Sequence, residues 1–198
     1  MQEVFMRYLV VVDMQNDFID GALGTPEAQA IVPKVVKKIE EFGGAIFYTM
    51  DTHGENYLDT QEGKLLPVKH CIYKTDGWKA NLLVAGALQR KEDALVRVHG
   101  FRKATFGSVE LGEQLRLRYE YARSANGASK DSCFEIVLVG LCTDICVISN
   151  ALLLKAFLPE AKITVDASCC AGVTPERHRN ALEAMKACQI FIENEVAE

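Results

Sequence analysis

The sequence predicts an α/β fold: a single-domain, three-layer α/β/α sandwich on a mostly parallel, Rossmann-like sheet of about six strands. Three observations carry this. Apolar runs of strand length alternate with helical patterns along the chain. The first run is apolar throughout and rich in β-branched residues, as a strand buried in a parallel sheet is. Several runs end on residues capable of chemistry, where open parallel sheets bind ligands.

Residues 8–12 read as the first strand, ending at Asp13. Residues 26–42 read as a helix, with Thr25 as N-cap, Pro26 in the first position and Gly43-Gly44 as the stop. Residues 45–50 form the second strand, ending at Asp51, and 94–98 the third. A helix is expected over 108–118, a fourth strand over 135–139 closed by Gly140, and a largely apolar, buried helix over 144–157. The fifth strand is expected at 162–165, a helix at 175–187 behind a Thr174 N-cap, and a short last strand at 189–192. Two irregular stretches remain: a polar one over 53–77 with two of the four histidines, and a Ser-, Asn-, Gly- and Lys-rich one over 121–132. Irregular stretches beyond about 12–15 residues are usually functional or disordered; the first is read as functional and the second as variable surface.

A chain of 198 residues, 49% hydrophobic and 25% charged, suits one compact domain over 1–198 and excludes a disordered or collagen-like polymer. The net charge of −5 argues against a nucleic-acid partner. No apolar run approaches the roughly 18–20 residues of a membrane span. Met1 to Arg7 does not open a charged leader with a long apolar segment, so a cytoplasmic protein is expected. The seven cysteines (71, 133, 142, 146, 169, 170 and 188) are odd in number and include no C-x-x-C, which fits reduced thiols.

Chemistry is sought at the strand ends. Cys146, in the first turn of the apolar helix, meets free amides and a helix dipole that favour a thiolate and a developing oxyanion; a free cysteine is nonetheless more often a small buried apolar residue. Asp13 closes an apolar strand, where a carboxylate needs a partner. Lys103 could supply that charge, and on spacing alone so could Arg102 or Arg97. Asp51 and His53 lie two apart at a strand end, on one side of an extended segment. With His70 after Pro67, and Glu62 as a possible fourth, they make a ligand set for zinc, iron or manganese. His99 and His178 lack a partner pattern, and His178 reads as solvated on a charged helix face. No G-x-G-x-x-G, G-x-x-x-x-G-K-[ST] or G-x-S-x-G is present, so neither a nucleotide enzyme nor a serine elbow is implied.

Taken in order, LVVVDMQNDFIDGAL (9–23), YTMDTHGENYLDTQEGKLLPVKHC (48–71), KATFGS (103–108), VGLCTDICV (139–147) and DASCCAGVTPERHRNAL (166–182) resemble the isochorismatase-like cysteine hydrolases, and most closely their nicotinamidase branch. The resemblance implies a catalytic Asp13, Lys103 and Cys146. It also implies a cis peptide before Cys142, with the Cys142 and Cys146 amides as oxyanion hole. A divalent metal, zinc foremost, is implied on Asp51, His53 and His70, with Glu62 added in some members. Phe18 and Trp78 are candidates to pack on a flat ring. The chain departs from the branch at Thr52, where many members have an aromatic residue, and at Pro67-Val68-Lys69 before His70. True isochorismatases usually lack the cysteine nucleophile. The implied function is conversion of nicotinamide to nicotinate and ammonia by a homo-oligomer. The alternatives are a ureido- or carbamoyl-amide hydrolase of the same superfamily, or a non-catalytic ligand-binding member.

Overall fold

Strand β1 (Met6–Val12) lies inside the sheet because residues 8–12 are buried on both faces. In the computed structural model, which describes residues 6–126 and 134–195, it pairs in parallel with β2 (Ala45–Asp51) and β4 (Phe134–Leu141). Beyond β2 lies β3 (Val98–Lys103); beyond β4 lie β5 (Lys162–Ala171) and β6 (Phe191–Glu193). All six strands are parallel, in the order β3-β2-β1-β4-β5-β6. The chain steps outward from β1 to β3, then returns to β4 and steps out the other way. The carboxyl ends of β1 and β4 therefore flank the switch point, where such sheets bind ligands.

Alternation along β1 divides the core. Tyr8, Val10 and Val12 face one layer, formed by α5 (Val109–Asn126), α6 (Ile148–Phe157) and α7 (Pro175–Ala187). Leu9 and Val11 face the other, formed by α1 (Asn16–Ile19), α2 (Pro26–Glu41) and α4 (Leu82–Asp93). Helix α2 buries Ala28, Ile31, Val32, Val35 and Ile39 at helical spacing, and Thr25 caps it by accepting the Ala28 amide at 3.0 Å. A short helix, α3 (Gln61–Leu65), lies in the polar stretch after β2. Among the described residues no helix is long and apolar enough to cross a membrane.

Several sequence expectations shift. The third strand lies at Val98–Lys103 rather than 94–98, because Ala94 caps α4 and Leu95 turns the chain at φ 60°. Helix α4 is not legible in the sequence, because its stripe of Val84, Ala87 and Leu88 is narrow and stands beside exposed Leu82 and Leu83. Helix α5 runs on to Asn126, through the start of the stretch expected to be irregular. Residues 127–132 of that stretch, Cys133, and Met1 to Phe5 of the N-terminal reading lie outside the described residues. Strand β5 extends to Ala171, and the last strand begins at Phe191 because Gln189 takes φ 62°.

Gly140 fixes the contact between β1 and β4. It sits opposite Val12 at φ 120°, and a Cβ there would overlap the Val12 carbonyl oxygen. Gly140→Ala is expected to destabilise the fold by about 2–3 kcal/mol, a fall of roughly 5–10 °C in thermal midpoint. Differential scanning calorimetry checks this; an unchanged midpoint would contradict the overlap.

Candidate active site

Asp13 leaves β1 at φ 46° and is fully buried. Its Oδ1 accepts the Thr49 hydroxyl at 2.7 Å, and its Oδ2 lies 2.6 Å from the Lys103 ammonium. Lys103, the last residue of β3, is buried, with Nζ 3.5 Å from Cys146 Sγ and 3.6 Å from Asp51 Oδ1. Strand alternation settles what spacing left open: Lys103 points inward, while Arg102 is exposed, its guanidinium 5.3 Å from the Tyr73 ring centre, and Arg97 is exposed as well. The ends of β1, β3 and β4 thus bring Asp13, Lys103 and Cys146 together.

Burial raises the Asp13 carboxyl pKa, against the pull of Lys103. Burial also pushes the Cys146 thiol well above its usual range, with Asp13 adding and Lys103 opposing. For Lys103, burial works against the ammonium, but the negative charge of Asp13, Cys146 and Asp51 outweighs it and holds the pKa above the usual lysine range. Lys103 is therefore the fixed charge of the group.

Cys146 lies not in an α-helical first turn, as expected, but in a wider π turn (Thr143–Val147) ahead of α6. The Leu141–Cys142 peptide before it is cis. The Cys142 carbonyl accepts the amides of Ile145 at 3.1 Å and Val147 at 3.0 Å. Asn150, which sequence reasoning missed, is buried in α6 and ties two segments together. Its Nδ2 donates to the Cys146 carbonyl at 2.8 Å, and its Oδ1 accepts the Ser108 amide at 2.9 Å.

Beside this group, Asp51, His53, Glu62 and His70 each offer one ligand atom, all within 4.8 Å of one another. His53 Nε2 is 3.0 Å and His70 Nε2 3.5 Å from Asp51 Oδ2, and Glu62 Oε1 lies 3.7 Å from both rings. Burial opposes ionisation of Asp51, but the two imidazoles that face it and the Lys103 charge keep its carboxyl well below the usual range. His70 Nδ1 donates to the Val68 carbonyl at 2.9 Å, which leaves Nε2 free to ligate. Thr60 caps α3 by accepting the Gly63 amide at 3.0 Å and so sets Glu62 in its first turn. Two further residues went unread. Gln15, fully buried, accepts the Asp51 amide at 2.7 Å and donates to the Asp51 carbonyl at 2.9 Å; Asp17 accepts the Cys71 amide at 2.7 Å, next to His70. Two imidazoles with two carboxylates fit a borderline divalent cation.

A cavity of about 590 Å³ opens on both groups. Cys142, Cys146, Asp51, Glu62 and His70 line it, with Phe18 and Phe106 among its apolar walls. Trp78 does not line it: the indole packs edge-on to Tyr73 and donates to the Thr52 hydroxyl at 2.9 Å. Phe106 is the aromatic that was overlooked, although it stands in the KATFGS segment. His178 is not simply solvated; it is half-buried and shares a hydrogen bond with Thr143 Oγ1 at 2.8 Å. His99 is exposed and packs edge-on to Phe101.

The parallel sheet carries a buried acid, lysine and cysteine beside a cavity at its switch point, which defines a doubly wound α/β protein. A family model for the isochorismatase domain matches residues 7–195. The chain belongs to the isochorismatase family. It is similar to an isochorismatase family protein of Bacillus subtilis (strain 168), with 28% identity over 184 residues covering 89% of this chain and 92% of that protein. The crystal structure of a pyrazinamidase/nicotinamidase from Streptococcus mutans UA159 matches with a TM-score of 0.75 and 28% identity, over 94% of this chain and 99% of that one. A pyrazinamidase of Pyrococcus horikoshii, solved in complex with zinc, matches with a TM-score of 0.69 and 28% identity, over 94% of this chain and 97% of that one.

Proposed function

We propose that this protein is a metal-assisted cysteine amidohydrolase, a nicotinamidase that converts nicotinamide to nicotinate and ammonia through a thioester. One observation carries the chemistry: the Lys103 ammonium stands 2.6 Å from Asp13 Oδ2 and 3.5 Å from Cys146 Sγ. Before proton transfer it pairs with the Asp13 carboxylate; after transfer it pairs with the Cys146 thiolate. The buried group keeps the same net charge, so activating the thiol does not desolvate a new ion.

Cys146 gives its proton to Asp13, and Sγ attacks the amide carbonyl carbon. The electron pair moves to oxygen, which the Cys142 and Cys146 amides stabilise. Collapse of the adduct breaks the C–N bond, and Asp13 returns the proton to the departing nitrogen as ammonia leaves. Asp13 then takes a proton from water as the water oxygen attacks the thioester. Loss of the sulfur releases nicotinate, and Cys146 regains its proton. A divalent ion on Asp51, His53, His70 and Glu62 would supply a Lewis-acidic anchor for the ring nitrogen; we assign zinc, on the ligand chemistry and the zinc complex of the Pyrococcus horikoshii pyrazinamidase. Phe18 and Phe106 border the cavity where the ring would lie. A homo-oligomer working in the cytoplasm completes the reading.

The test is ammonia release from nicotinamide, pyrazinamide and a carbamoyl amide, on zinc-loaded and chelated protein. Turnover of the two ring amides is expected, with a loss of roughly 100-fold on chelation that added zinc restores. Turnover of the carbamoyl amide alone, with no effect of chelation, would replace this reading with the other amidase branch.

A further inference from the structure

We propose that His178 is a positioning residue for the turn that carries Cys146, acting through its hydrogen bond to Thr143. The inference rests on the reading of Cys146 as the nucleophile.

The turn Thr143–Val147 lacks an α-helical ladder, and within it the Cys142 carbonyl takes two amides. Its outer side is held by the start of α7. The Val173 amide donates to Asp144 Oδ1 at 3.0 Å, and His178 Nδ1 shares its hydrogen bond with Thr143 Oγ1 at 2.8 Å. Gly172 permits the approach, since a Cβ there would meet His178 N at 2.8 Å and Asp144 Oδ1 at 3.0 Å. Helix α7 is itself anchored. Thr174 Oγ1 accepts the Arg177 amide at 3.2 Å, the Thr174 carbonyl accepts the His178 amide at 2.9 Å, and Ala181, Leu182 and Met185 enter the core.

Thr143 is fully buried and three residues before Cys146. A buried hydroxyl left without a partner is costly. His178 supplies the partner from a helix fixed to the core, so the Thr143 rotamer, and with it the path of the turn, is set by α7. Displacement of a reacting group by about 1 Å lowers rate by about 100-fold. His178 touches none of the reacting atoms and acts only through Thr143.

The experiment compares His178→Leu, His178→Asn, Thr143→Val and the double variant Thr143→Val/His178→Leu with the parent. It measures kcat and KM for ammonia release from nicotinamide, the rate of Cys146 alkylation by iodoacetamide with site counting by mass, and the thermal midpoint. His178→Leu is expected to lower kcat per alkylatable site by about 10- to 100-fold, with KM within about twofold, and to slow alkylation in parallel. His178→Asn, which keeps a polar atom near the Nδ1 position, is expected to stay within about threefold of the parent. Thr143→Val should reproduce the loss, and the double variant should add nothing further. A parental kcat per site in His178→Leu, or an Asn variant as slow as the Leu variant, overturns the proposal. If His178→Leu does not fold, the smaller change Thr143→Val decides: a parental kcat there overturns the proposal too. A Cys146→Ala protein that still turns over would instead overturn the nucleophile reading, so the two failures are told apart.

Discussion

Replacing Cys146 with alanine is expected to lower ammonia release by roughly 10⁴- to 10⁶-fold while the protein stays folded. The rate loss follows from removing the sulfur that forms the proposed thioester; the oxyanion donors and the cavity remain, but they have no attack to stabilise. The fold survives because the turn is held by its backbone. The Cys142 carbonyl takes two amides, and Asn150 donates to the carbonyl of residue 146 at 2.8 Å, none of which needs the sulfur. The lost packing of one small buried side chain costs about 1–2 kcal/mol. Circular dichroism and a thermal melt establish the fold, and a coupled ammonia assay the rate. The parent incubated with substrate and quenched in acid should carry the acyl mass on the peptide containing Cys146, and the alanine variant should not. Turnover by the variant at the parental rate would end the covalent mechanism.

How much of this site could be read from sequence depended on how far apart in the chain the partners lie. Asp13, Asp51 and Cys146 were legible because each follows an apolar, β-branched run, and such runs declare a strand end locally. Asp51 and His53 shared a side for the same reason. Spacing does not separate Lys103 from Arg102, because the apolar run that predicts the strand ends at residue 98 while the strand itself runs over Val98–Lys103. Gln15, Asn150 and the Thr143–His178 pair were missed for another reason. Each makes a contact 35 or more residues away in the chain, and their polar side chains look the same in sequence whether buried or solvated. Trp78 failed as a ring-packing candidate because its indole found a hydroxyl on Thr52, a preference of direction that composition does not reveal. The expected α-helical first turn at Cys146 became a π turn because an apolar run of that length specifies burial and helix but not the hydrogen-bond pattern of its entry.

Lys103→Met is expected to damage both activity and stability, and the two effects should separate. The ammonium is buried, 2.6 Å from Asp13 Oδ2, 3.6 Å from Asp51 Oδ1 and 3.5 Å from Cys146 Sγ. Removing it leaves Asp13 as a buried carboxylate without its cation, still accepting the Thr49 hydroxyl at 2.7 Å. Breaking one side of a buried pair costs about 3–5 kcal/mol, so the thermal midpoint should fall by roughly 10 °C. Asp51 suffers less, because His53 and His70 still face it. Adding Asp13→Asn removes the stranded charge while keeping the shape and a hydrogen bond to Thr49, so the double variant should recover most of the midpoint. It should recover no activity, because neither a base for the thiol nor a cation for the thiolate remains. Melting curves of the parent, the two single variants and the double variant give the coupling directly, and ammonia release from each gives the rate. If Lys103→Met melted with the parent, the ion pair would contribute nothing to the fold. If the double variant regained turnover together with stability, Lys103 and Asp13 would be structural partners only, and the proton shuttle between Cys146 and Asp13 would have to be abandoned.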